Sequence, residues 1–152
     1  MLKFKNTGRV QVVDAFDNHV IKCFKSFRGA NAVQRFQNEC RVLRHLNQLE
    51  CPFVPRLMDS SPTLLSITTE HCGRSVEQLS EGRVQQLFDR LLEYGVRHDD
   101  PVLRNVLYDS RCNEFKLIDF ELAEILDENM SVSPRMERCL TDFENAIEEH
   151  LA

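Results

Sequence analysis

A lysine set into an apolar strand face constrains this chain more than any other feature. In HVIKCFK (19–25), period-two alternation puts Val20, Lys22 and Phe24 on one face and Ile21, Cys23 and Lys25 on the other. Lys22 has two ways out. From a sheet edge its long stem can reach water; in a half-buried position its ammonium needs an anionic partner, because an unpaired buried charge is expensive. The next segment offers one. Over residues 31–49 the residues Val33, Phe36, Cys40 and Leu43 recur at helical spacing, Val42 and Leu46 widen the stripe, and Glu39 sits beside it. On these residues alone both fates stay open.

A second place where charge sits against the pattern lies downstream. NVLYD (105–109), the polar turn SRCN (110–113) and EFKLIDFE (114–121) read as a β-hairpin whose midpoint sets Asn105 opposite Ile118. Alternation then points Phe115, Leu117 and Asp119 to one side, so this carboxylate too falls on an apolar face. With Asp100 five residues before Asn105, three oxygen-bearing side chains gather at the open end of one hairpin. Two of them suffice for a hard cation such as Mg²⁺, which takes a few protein oxygens and completes its shell with water and phosphate; turn and cap chemistry is the alternative use of the same residue types.

Around these positions the chain alternates element types. VQVVDAF (10–16), a turn at Asp17 and Asn18, and HVIKCFK form a first hairpin; a helix follows over 31–49; CPFVP (51–55) breaks it; LLSITTE (64–70) is a strand and HCGR a loop. Val84, Leu87, Phe88, Leu91 and Leu92 mark a second helix that Gly95 ends. Met136, Leu140, Phe143, Ile147 and Leu151 place a closing amphipathic helix over 134–151, expected to pack on the second helix, although its apolar face also leaves dimerisation open. The 24 acidic and 19 basic residues give a net charge of −5, which argues against nucleic-acid binding along phosphates. No apolar run approaches the roughly 20 residues that span a bilayer, and MLKFKNTGRV lacks the apolar segment of a secretory signal. The expectation is a soluble cytoplasmic protein without a membrane partner, its six scattered cysteines reduced.

Taken in order, these segments resemble the protein-kinase family. VIKCF (20–24) is similar to the strand motif whose lysine holds the α- and β-phosphates, ECRVLRHL (39–46) to the helix that pairs with it, HDDPVLRN (98–105) to the catalytic loop, and LIDFELA (117–123) to the metal-binding loop. Four motifs in the right order are specific where one would not be. The resemblance implies an α+β, two-lobed kinase-like fold, with a small antiparallel sheet and one helix over 1–72 and a minimal helical lobe over 73–152. It implies ATP and Mg²⁺ as cofactors. Lys22 and Glu39 would position the phosphates, Asn105 and Asp119 would hold the metal, Asp100 would accept or orient the proton of the attacking hydroxyl, and Arg104 would reach the transferred phosphate. Gly8, Val10, Glu70, His71, Cys72 and Leu107 would line the nucleotide, the segment Glu70 to Cys72 offering main-chain groups to adenine. His98 would brace the loop near Asp119.

The departures from the family are also plain. Only Gly8 stands where the family has several glycines, Glu121 replaces the glycine after Asp119–Phe120, and Val102 stands where many relatives carry a lysine. The stretch between Asp119 and residue 152 accounts for one loop and one helix, so the chain reads as a miniature kinase whose peptide-binding surface a protein partner or another docking mode would supply. The expected activity is transfer of the γ-phosphate of ATP to a hydroxyl acceptor on a protein. The alternative is a pseudokinase, a nucleotide-sensing or structural protein-interaction module.

Overall fold

The computed structural model describes residues 3–6, 10–14, 19–25 and 31–126. Strands β1 (Lys3–Asn6), β2 (Val10–Asp14) and β3 (His19–Phe24) pair antiparallel in succession, with Val12 opposite Lys22. Helix α1 (Ala32–Gln48) follows, then β4 (Leu57–Ser61) and β5 (Ser66–Glu70). β5 pairs with both β3 and β4, which gives a five-stranded antiparallel sheet in the order β1-β2-β3-β5-β4. Lys22 therefore sits on the central strand, and the edge position that would have let it reach water is excluded. The expected first hairpin is present as β2 and β3, while its turn at Asp17 and Asn18 lies outside the described residues.

Helix α1 packs on β3, β4 and β5. Phe36, Cys40, Val42, Leu43 and Leu46 are buried as the periodicity predicts, and Phe36 meets Phe24 edge-on at 6.0 Å between ring centroids. Val33 is a correction, since it is 40% exposed. The buried arc is centred on Ala32, Glu39 and Leu46, so Val33 falls at its rim. The same rotation turns Glu39 into the middle of the buried face. Strand β4 was not legible, because LMDSS has no alternation of apolar and polar residues; the strand expected over 64–70 begins at Ser66, and Leu64, 72% exposed, belongs to the preceding turn.

A short strand β6 (Arg74–Ser75) leads to α2 (Glu81–Asp89), whose N-cap Ser80 accepts the Arg83 N–H through Oγ at 3.2 Å. The helix tightens into a 3₁₀ turn over Arg90–Tyr94 and stops at Gly95 in the left-handed conformation (φ +73°). Val96–Arg97 (β7) pairs with Glu124–Ile125 (β10), while β8 (Val106–Asp109) and β9 (Glu114–Leu117) form the second hairpin in the expected register, Val106 opposite Leu117. The breaker CPFVP ties this hairpin to the first sheet: Phe53 is buried and its carbonyl accepts the Leu117 N–H at 2.8 Å. The closing helix expected over 134–151 lies outside the described residues. The five described cysteines are free thiols, and burial pushes Cys51 up to about 11 and Cys72 up to about 12.

Between the two β systems runs His71–Gly73. Arg111 reaches it from the β8–β9 turn, donating to the His71 carbonyl at 2.8 Å while Asp109 grips the same guanidinium at 3.0 Å through both oxygens. The hydrogen bond from Arg111, against the opposing effect of burial, holds the Asp109 carboxyl down at about 2. Gly73 has φ +105°, and a Cβ there would stand 2.1 Å from the Tyr108 carbonyl oxygen. Gly73→Ala is accordingly expected to cost about 3 kcal/mol, at the upper end for single substitutions, in urea unfolding. Since the folded-state pKa of Asp109 is depressed, its contribution is full above about pH 4 and is lost as the pH falls through about 2. The stability gap between wild type and Asp109→Asn should therefore be widest at neutral pH and close on acidification, as followed by thermal melts from pH 7 to 2.

Candidate active site

Two elements converge on Lys22 of β3. From α1, Glu39 holds the ammonium with both oxygens, Oε2 at 2.8 Å and Oε1 at 3.1 Å; from the loop after β9, Asp119 Oδ1 lies at 3.0 Å and Glu121 Oε2 at 3.8 Å. The Lys22 side chain is 12% exposed and that of Glu39 only 4%, whereas Asp119 keeps 35% of its surface. Burial works against the Lys22 charge, but Glu39, Asp119 and Glu121 outweigh it and hold the ammonium above its ordinary range. The strand lysine has the partner its apolar face required, and a second carboxylate from far along the chain.

Asp119 sits in the left-handed region, φ +70°, where Asp is tolerated better than most side chains. Its neighbours fix it. The Ile118 N–H donates to the Asn105 carbonyl at 3.0 Å, as the hairpin midpoint predicted, and His98 lies 2.9 Å from the Ile118 carbonyl through Nε2. Because His98 Nδ1 accepts the Asp100 N–H at 2.9 Å, the proton is on Nε2, which donates to that carbonyl. Phe120 is fully buried and packs against the His98 ring at 5.2 Å. His98 thus braces the loop from below.

In the 98–105 loop, the buried Asn105 donates from Nδ2 to the Asp100 carbonyl at 2.9 Å and to Asp100 Oδ2 at 3.4 Å; Arg104, two-thirds exposed, donates to the same Oδ2. Sequence reasoning passed over Asp99, the neighbour of Asp100. Partial burial pushes its carboxyl up, and the negative charges of Asp119 and Asp100 add to the push. The remaining predicted positions divide. Val10 begins β2 opposite Phe24, Leu107 is half-buried on β8 between Ser75 and Lys116, and Gly8 lies outside the described residues. At the end of β5 two main-chain groups are already committed, the Glu70 N–H to the Arg56 carbonyl at 3.0 Å and the His71 carbonyl to Arg111. The Glu70 carbonyl receives the buried Cys72 thiol at 3.7 Å.

Sequence reasoning also missed Arg35 and Asn38, both buried on α1. Arg35 pairs with Glu121 at 3.3 Å, and Asn38 Nδ2 donates to the carbonyls of Glu121 and Ala123 at 3.1 and 2.9 Å. The signal was their place one turn before and beside Glu39, but polar residues there read as a solvent face.

No protein-family model and no curated protein matches the chain. Solved structures do. The bifunctional kinase-methyltransferase WbdD superposes with a TM-score of 0.60 at 18% identity, over 95% of this chain and 38% of that one. A co-crystal structure of WbdD with the kinase inhibitor LY294002 gives 0.59 at 18% identity, over 95% and 37%. The Rio2 kinase from Chaetomium thermophilum, in an ADP/Mg²⁺-phosphoaspartate complex, gives 0.58 at 17% identity, over 97% and 53%. The chain thus spans between about a third and a half of the structures it resembles. It has the protein-kinase-like fold, α+β with small antiparallel sheets and few helices. Among the described residues no helix is long and apolar enough to cross a membrane.

Removing the cation from this cluster isolates a buried carboxylate. Lys22→Met is expected to cost about 3–5 kcal/mol, the range for breaking a buried pair. Without the ammonium, burial raises the Glu39 pKa in the folded state further, so the folded form takes up a proton more readily than the unfolded one. The deficit should shrink as the pH falls from 8 to 5, as read by urea midpoints across that range.

Proposed function

We propose that the cleft between Lys22 and Asp100 binds ATP with Mg²⁺ and transfers the γ-phosphate to a hydroxyl acceptor, a protein side chain in the first instance. Two observations carry this reading, the Lys22 ammonium gripped by Glu39 and Asp119 and an Asp100 that Asn105 and Arg104 orient. The donor set fits the group. Lys22 presents a fixed positive charge for phosphate oxygens, and Asp119 Oδ1 with the Asn105 amide oxygen offers hard oxygens for a divalent ion. Among the described residues no three or more His, Cys, Asp or Glu side chains form a metal cage; a Mg²⁺ site does not ask for one, since phosphates and waters complete its shell. When bound, the ion would supply neutralisation of charge on the phosphates.

The chain's own residues then have separate tasks. Lys22, held by Glu39, orients the phosphates without a search through rotamers. Asp100 Oδ2, fixed by two donors, would receive the proton of the acceptor hydroxyl. Arg104 stands next to that oxygen and would steady negative charge on the group in transfer. A cytoplasmic setting and a protein partner belong to the same reading.

A second reading, a nucleotide-sensing module without transfer, is favoured by Glu121, which adds a third carboxylate beside Lys22. Binding and turnover separate the two. Wild-type protein is expected to melt several degrees higher with ATP and Mg²⁺ than with either alone, by mass action on the native state. Asp119→Asn, which keeps a side chain tolerant of the left-handed backbone, should lose that rise. Asp100→Asn should keep it and reduce phosphoryl transfer at least 100-fold. No rise in wild type would dismiss the nucleotide site, and a rise without any Asp100-dependent turnover would favour the sensing module.

A further inference from the structure

Arg35 and Glu121 form an ion pair that the handling of phosphates does not require, and it is among the most enclosed polar contacts described. Arg35 is 4% exposed and Glu121 5%. The guanidinium is held from two sides: NH1 lies 3.3 Å from Glu121 Oε2, and NH2 donates to the Lys25 carbonyl at 3.0 Å, just past the end of β3. Its carbon also lies 5.8 Å from the centre of the Phe24 ring. Asn38 adds the two bonds to the Glu121 and Ala123 carbonyls. Arg35, Asn38 and Glu39, at helical spacings of three and four, therefore all turn toward segment 119–123.

The distances around Lys22 show what this does. Glu39 and Asp119 are within hydrogen-bonding range of the ammonium, but Glu121 stands off at 3.8 Å. Glu121 is buried, and Lys22 and Arg35 are both within its reach. Arg35 takes it.

We propose that Arg35 is a positioning residue: by pairing with Glu121 it latches α1 to segment 119–123 and keeps the third carboxylate out of hydrogen-bonding range of Lys22. The consequence for ATP rests on the nucleotide reading above; the latch rests on the geometry alone. Without Arg35, Lys22 is the cation left beside Glu121, and that carboxylate would compete with phosphates for the ammonium. Without Glu121 the competition disappears.

The test is a cycle on the full chain: wild type, Arg35→Met, Glu121→Gln and the double variant, with Arg35→Lys as the conservative control. Two readouts are taken, the Kd for ATP with Mg²⁺ by calorimetric titration and, without nucleotide, the amide hydrogen exchange of α1. Arg35→Met should weaken ATP binding at least tenfold, Glu121→Gln no more than threefold, and the double variant should return to within threefold of Glu121→Gln. Arg35→Lys, which keeps the charge, should fall between wild type and Arg35→Met. Both single variants should exchange α1 amides at least threefold faster than wild type. A double variant as weak as Arg35→Met, or an Arg35→Met that binds like wild type, overturns the proposal. If Arg35→Met does not fold, the double variant decides: binding like Glu121→Gln supports the role, and loss of binding overturns it. If wild type binds no ATP, the nucleotide reading falls, and unchanged α1 exchange in the single variants would then sink the latch as well.

Discussion

The buried ammonium of Lys22 is the constraint on which the rest of the architecture depends. It stands on the central strand of the five-stranded sheet, where the edge route to water is closed, and it draws carboxylates from α1 and from the loop after β9. Those elements are 17 and 97 residues away in sequence. A contact of that kind does not explain stability, since a buried ion cluster returns little beyond its own desolvation and apolar residues of similar volume often do better. A cation kept dry, fixed and charged is what an anionic ligand can exploit, and the cost of keeping it so is spread over the core that encloses it.

The loop that supplies Asp119 is strained at that residue and restrained on either side of it. Its left-handed backbone is a conformation that a non-glycine residue holds only when the surroundings over-determine it. Here they do. Ile118 is tied through its N–H to Asn105 and through its carbonyl to His98, Phe120 is sealed in the core, and Asn38 holds the carbonyls of Glu121 and Ala123. The carboxylate is thus fixed by backbone anchors on both sides, and about a third of its surface stays exposed. Phe53 makes the arrangement common to both β systems, because its carbonyl carries the Leu117 N–H two residues before that loop's strain begins.

Much of this site was legible because it violates pattern locally. Alternation alone put Lys22 beside Phe24, helical spacing put Glu39 next to the stripe, and counting back from the SRCN turn put Asn105 against Ile118. What was not legible depends on partners far away in sequence. Arg35 sits 86 residues before the carboxylate that justifies its burial, so in isolation it reads as a polar helix position. Gly73 is a lone glycine whose necessity comes from the Tyr108 carbonyl on β8. Strand β4 forms because β5 offers it an edge, not because LMDSS prefers to be extended. Glu121 was visible as a departure from the family, but its meaning lay in Arg35.

The two groups of site residues differ in kind. On the Lys22 side the charged groups are buried, shared among three elements and fixed by several bonds each. On the Asp100 side the carboxylate and Arg104 are 35% and 67% exposed, and the contacts that orient them come from within a single loop. Rigid, dry charge suits a ligand that is always the same, and electrostatic terms are strongest there. Wet, locally held charge suits a group that must be approached from solvent by different surfaces. The division follows from topology, because β3, α1 and the 119–123 segment meet in the interior while the 99–105 loop lies at its margin. On the proposed reading, nucleotide recognition would be written into the fold itself, and acceptor choice into whatever surface borders Asp100 and Arg104.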